Sequence, residues 1–92
     1  MGTENLCITL IEVNGGQLGM AEQLLRRQLR RHGLHAKILC LACGLEIARR
    51  GMANSAPAIL VDEQVFSQGR PLTPELLEEL CQAILKKEAG TE

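Results

Sequence analysis

Leu6-Cys7-Ile8-Thr9-Leu10-Ile11-Glu12-Val13 is the stretch on which the fold turns. It is almost continuously apolar and rich in β-branched residues, the pattern of a strand buried on both faces of a mixed sheet. Asn14-Gly15-Gly16 breaks it and reads as a turn. From about Leu18 to His32, the apolar residues Leu18, Ala21, Leu24, Leu25 and Leu29 recur at helical spacing. Arg26, Arg27, Arg30, Arg31 and His32 crowd the last turns, where cations suit the helix macrodipole. Gly33 stands where a left-handed C-terminal cap belongs. Ala36–Leu41 is a second short apolar strand. One helix between two strands implies a parallel pair joined by a right-handed crossover.

Beyond this unit, Gly44 to about Met52 predicts a short second helix with Leu45, Ile47 and Ala48 inward. Ala53-Asn54-Ser55-Ala56-Pro57 interrupts it. Ala58–Val61 and Val65–Gln68 read as two strands around the turn Asp62-Glu63-Gln64, and Gly69-Arg70-Pro71 ends the hairpin. Thr73 caps a last helix with Pro74 at its first position, where a missing N–H costs nothing. Leu76, Leu77, Leu80, Cys81, Ile84 and Leu85 supply its buried stripe. The expected order is βαβαββα, an α/β domain with a mixed four-stranded sheet and three helices. Residues 1–92 form one domain with an ordered core at about 6–87, and Glu88 to Glu92 are expected to fray.

The composition narrows the function. The 92 residues are 46% hydrophobic and 23% charged, with a net charge of −1, so no strong field points to nucleic acid or an anionic membrane. Phe66 is the only aromatic residue, which removes the stacking platforms of single-strand and RNA binders. No apolar run is long enough to cross a membrane. Met1-Gly2-Thr3-Glu4-Asn5 lacks the pattern of a secretory signal, and Leu6-Cys7 follow Gly2 where a myristoylation site wants Ser or Thr. A cytoplasmic location is expected, where Cys7, Cys40, Cys43 and Cys81 are free thiols, metal ligands or a redox pair.

The run Ile47-Ala48-Arg49-Arg50-Gly51-Met52-Ala53-Asn54-Ser55-Ala56-Pro57-Ala58-Ile59-Leu60-Val61-Asp62 matches a pattern common in one family. In that family an Ile-Ala pair leads through a glycine and Ser-x-Pro-Ala into an aliphatic strand. Gly69 and the helix start Thr73-Pro74-Glu75 fall where that family places them. From Leu6 to Leu85 the chain resembles the small thioredoxin-like, glutaredoxin-like redox proteins. The resemblance implies the thioredoxin-like fold, a cis Ala56–Pro57 bond, and an exposed Ala56 backbone that pairs with an extended peptide. The chain departs from the family at the start of the first helix. Where a Cys-Pro-x-Cys turn would stand it reads Asn14-Gly15-Gly16-Gln17, and the hairpin turn lacks the usual glycine.

Cys40-Leu41-Ala42-Cys43 is a displaced Cys-x-x-Cys. It follows the second strand, at the sheet edge where open α/β sheets bind ligands. Cys43 at the start of the second helix would have its thiolate favoured by backbone N–H groups. The expected function is thiol–disulfide exchange: one thiolate attacks a partner disulfide and the other resolves the mixed disulfide. Cys40 and Cys43 are then the catalytic residues, with Asn14, Gln17, Ala56 and Pro57 lining the substrate side. The alternative is a non-catalytic protein-binding module in which Cys40 is a buried strand residue. A zinc site needs four ligands, and His32 and His35 cannot be placed near Cys40 from sequence. A [2Fe–2S] cluster, as in thioredoxin-like ferredoxins, needs four convergent cysteines, whereas Cys7 and Cys81 read as core. No cofactor or metal is therefore expected. The expected partner is a protein or protein disulfide, not nucleic acid or membrane. The Arg26–His32 cluster reads as a solvated helix face, with an acidic partner as the other possibility, and Gly15-Gly16 alone carries no phosphate fingerprint.

Overall fold

The computed structural model describes residues 6–89. Its elements run β1 (Cys7–Ile11), α1 (Gly15–Arg31), β2 (Lys37–Leu41), α2 (Gly44–Arg49), β3 (Ala58–Val61), β4 (Gln64–Gln68) and α3 (Pro74–Ala89). The strands form one mixed sheet in the order β2-β1-β3-β4. β1 and β2 are parallel, with Ile11 beside Leu41. β3 runs antiparallel to β1, with Ala58 beside Ile11, and β4 antiparallel to β3. The described residues thus form an α/β protein with a four-stranded mixed sheet and three helices. Among the described residues, no helix is long and apolar enough to cross a membrane. The expectations for residues 1–5 and 90–92 lie outside the described residues. The last helix continues through Ala89, two residues past the expected core.

Several boundaries differ from the sequence reading, and two of them, the start of α1 and the end of α2, are matters of capping. Asn14-Gly15-Gly16 is not a turn: Asn14 is the N-cap of α1 and the two glycines are its first helical residues. The Asn14 side chain accepts the Gln17 N–H at 3.0 Å, and the Asn14 N–H donates to Glu12 at 2.9 Å. β1 stops at Ile11, and Val13 is exposed. The second helix ends at Arg49 rather than near Met52, because Gly51 at φ +73° closes it. Gly51 N–H bonds Ala48 O and Met52 N–H bonds Ile47 O, a Schellman ending. Gly33 and Leu34 end α1 in the same way.

The alternation of side chains sorts the strands onto two faces. Ile8 and Leu10 of β1, Ile38 of β2 and Ile59 of β3 pack with Leu18, Leu25 and Leu29 of α1 and Leu77 and Leu80 of α3. Ile11, Ala58, Leu60 and the half-buried Leu41 turn the other way, against Ile47 of α2. Two long helices therefore cover one face and six residues of helix the other. α1 and α3 are pinned together by His32 Nε2 and Glu78 Oε2 at 3.0 Å. Thr73 caps α3 by accepting the Leu76 N–H at 3.2 Å.

Candidate functional site

The pairings bring several chain segments to one end of the sheet. β1 and β2 finish there, β3 begins there, and Glu12 N–H donates to Leu41 O at 3.1 Å to tie the two parallel strand ends. Asn14 and Cys43 each start a helix just beyond those ends. The Ala56–Pro57 bond, which is cis, leads into β3 at the same end. Gly69 N–H donates to both Ser55 O (2.8 Å) and Pro57 O (2.9 Å), which fastens this segment to the end of β4. Gly69 adopts φ +74°, a conformation open to glycine at little cost. Among the described residues, the Ala56 N–H and C=O make no backbone hydrogen bond.

The predicted site residues divide. Asn14, Gln17, Cys43, Ala56 and Pro57 all belong to this end, and Asn14, Gln17 and Cys43 are exposed. Cys40 lies inside β2, on the face that Ile38 shares, and its thiol stands beside Glu22 of α1. Cys43 is the N-cap of α2, the helix on the opposite face, and its side chain makes no capping bond. A strand's pleat thus separates two cysteines only three positions apart in sequence. Cys40 is exposed, not the buried strand residue of the alternative expectation, yet partial desolvation and the adjacent Glu22 carboxylate push its thiol up to about 11 from an ordinary 9.0. Glu22 is held below the usual range by Arg26 first, at 2.7 Å, and then by Cys40.

Cys81 is fully buried in the core, and Cys7 is half-buried at the start of β1. All four cysteines are free thiols. Among the described residues, no three His, Cys, Asp or Glu side chains are grouped so as to hold a metal ion.

Three features escaped the sequence reading. Glu12 is a buried carboxylate in an apolar run, and its lone charge there was the available signal. Glu22 became visible only when α1 was laid over β2. The third is a groove of about 620 Å³ beside the site, where Gln17, Met20, Leu24 and Arg27 face Pro71 to Pro74. Met20, 72% exposed, lies off the buried helical stripe, which is the mark a sequence could have offered. No family model matches this chain, and no curated protein or solved structure matches it.

Proposed function

We propose that this chain is a cytoplasmic, thioredoxin-like protein-binding module that receives an extended segment of a partner protein at Ala56 and Pro57. The observation that carries the reading is the free Ala56 backbone. Its neighbours Ser55 and Pro57 both give their carbonyls to Gly69, which holds the segment still while the Ala56 donor and acceptor stay open. A segment held on both sides, with one open donor and one open acceptor between, suits strand-like pairing with a peptide. The helix start at Asn14-Gly15-Gly16-Gln17 carries no thiol, so nothing at that position attacks what docks. The test is a display selection of peptides on the purified chain, followed by amide NMR titration. Shifts centred on Ala56 and on Gly15 to Gln17 support the proposal. Peptides that shift only residues away from this end of the sheet, or no peptide selected at all, reject it.

A second reading is favoured by the exposure of both Cys40 and Cys43. In it Cys43 as thiolate attacks a partner disulfide and releases one partner thiolate. Cys40, after losing its proton, displaces the second partner sulfur and closes a Cys40–Cys43 disulfide. Its obstacles are the opposite faces of the sheet and the raised Cys40 value, because only thiolate attacks. Trapping thiols across a glutathione redox series, with mass spectrometry, decides it. Separate alkylation of both residues at every potential rules the pair out.

A further inference from the structure

The two outer strands protect their free edges differently. β4 is bulged against β3 between Ile59 and Leu60 and carries Gln64, Ser67 and Gln68. β2 pairs with β1 in unbroken register, and no described strand covers its outer side. Its sequence Lys-Ile-Leu-Cys-Leu holds one charge, and Leu39 is 39% exposed. An apolar edge of this kind is a template for another strand. The free groups can be assigned. Lys37 N–H donates to Leu6 O, and Leu41 O accepts from Glu12 N–H, so Lys37, Leu39 and Leu41 face β1. The N–H and C=O groups of Ile38 and Cys40 therefore point outward.

We propose that β2 pairs antiparallel with β2 of a second copy of this chain, about a two-fold axis at Leu39. In this register Ile38 opposes Cys40 of the other copy, and the outward groups of both strands meet as hydrogen-bonded pairs. The two Leu39 residues face one another across the axis. Contacts of this isologous kind close on themselves as a dimer.

The charges over the strand select this register. Glu22 stands beside Cys40, and Arg26 lines a pocket together with Ile38, one helical turn further along α1. Four residues of helix advance about 6 Å, and two residues of strand about 6–7 Å. The Glu22–Arg26 doublet is thus matched to the Cys40–Ile38 step. A two-fold axis at Leu39 exchanges positions 38 and 40, so the carboxylate of each copy faces the guanidinium of the other. An axis at Cys40 would set Glu22 against Glu22, and one at Ile38 would set Arg26 against Arg26. Parallel pairing of the same edges needs a two-fold axis along the strand, which sets the two α1 helices on opposite faces of the joined sheet and brings none of these charges together. Attraction in one register and repulsion in its neighbours is how an interface specifies itself.

Sedimentation velocity of the full chain, over a concentration series up to about 1 mM, tests the proposal. A reversible dimer is expected. Glu22→Arg and Arg26→Glu should each weaken it about tenfold or more, and the double exchange should restore most of the affinity, because the swapped doublet is again self-complementary. Circular dichroism of each variant establishes that it is folded. In the unmodified chain, the Ile38 and Cys40 amides should gain protection from hydrogen exchange as concentration rises. A chain that stays monomeric throughout overturns the proposal. So does a dimer that is indifferent to both charge reversals, or one that leaves those two amides unprotected.

Discussion

The two faces of the sheet are built on unequal terms. On one face, α1 and α3 close over fourteen buried residues, including Leu25, Leu77, Leu80 and Cys81. On the other, the buried set is Ile11, Ile47, Ala58 and Leu60, under a helix of six residues. The thick face holds most of the buried apolar side chains. Leu45, exposed on α2, and Val65 on β4 show how little the thin layer covers. The difference separates stability from adaptability, because a thinly packed layer opens locally at less cost than the whole domain. It also explains the cysteines. Cys40 belongs to the thick face and Cys43 opens the helix of the thin one.

The largest test of this inequality is a pair of truncations. Leu80→Ala removes a side chain that is wholly inaccessible and walled by two long helices, so the cavity cannot collapse. Its expected cost is about 3–4 kcal/mol in chemical denaturation. Ile47→Ala should cost about 2 kcal/mol, near the lower end for such a change, because a six-residue helix can settle into the space. Hydrogen exchange should show the second variant opening α2 without opening α1. Equal costs would mean that the faces are not unequal in the way their packing implies.

Chemical labelling compares the faces through their thiols. With its value pushed up to about 11, Cys40 is almost wholly protonated at neutral pH. At pH 8 about one molecule in a thousand carries the Cys40 thiolate, so iodoacetamide should reach Cys43 first. Cys40 labelling should climb only as pH passes about 10. Cys81, raised to about 11 chiefly by burial, should resist until the protein unfolds. These two thiols favour the proton in the folded state. Their contribution to stability is therefore complete below pH 9 and is lost as pH rises from 9 towards 11. Cys81→Ala should flatten that alkaline decline, whatever its cost at neutral pH.

Asn14→Ala acts at the site end and touches neither core. It deletes the acceptor for the Gln17 N–H at the start of α1, and the expected loss is about 1 kcal/mol. If the loss exceeds that of Ile47→Ala, the thin face contributes less than its buried residues suggest.

The order of elements and the thick core were legible because Leu18, Ala21, Leu25 and Leu29, and then Leu76, Leu77, Leu80 and Ile84, repeat at helical spacing. The parallel crossover followed from one helix between two strands. The expected strand Ala36–Leu41 already held Cys40 and ended where β2 ends. What was not legible was the face its thiol takes. Period-two alternation groups Cys40 with Ile38, but only the packing of α1 over β2 brings that face beside Glu22. The start of α1 was hidden for a different reason. Two glycines ordinarily mark a turn, and the Asn14 and Gln17 spacing that makes Asn14 a cap is a weak pattern beside them. Ala56 was singled out by resemblance, while the Gly69 bonds on either side of it were visible only in space.

The smallest expected effect has opposite signs on the two faces. The β3–β4 turn places Asp62 at φ 52° and Glu63 at φ 71°, both left-handed and both with side chains. A residue with a Cβ costs about 1–2 kcal/mol in such a conformation. Glycine relieves this but surrenders about 0.5–1 kcal/mol through the freedom of the unfolded chain. Asp62 should be kept, because its carboxylate accepts the Cys7 N–H at 3.0 Å and anchors the start of β1. Glu63 makes a single exposed ion pair with Arg50 at 3.5 Å, a contact worth about 0–1 kcal/mol. Glu63→Gly should therefore raise global stability by about 0.5 kcal/mol. Arg50 follows α2 directly, so the same change releases a tie between the hairpin and the thin layer. Exchange of the α2 amides should quicken while the α1 and α3 amides slow with the global gain. If α2 slows in step with the rest, that layer is no independent opening unit, and the contrast between the faces is one of thickness alone.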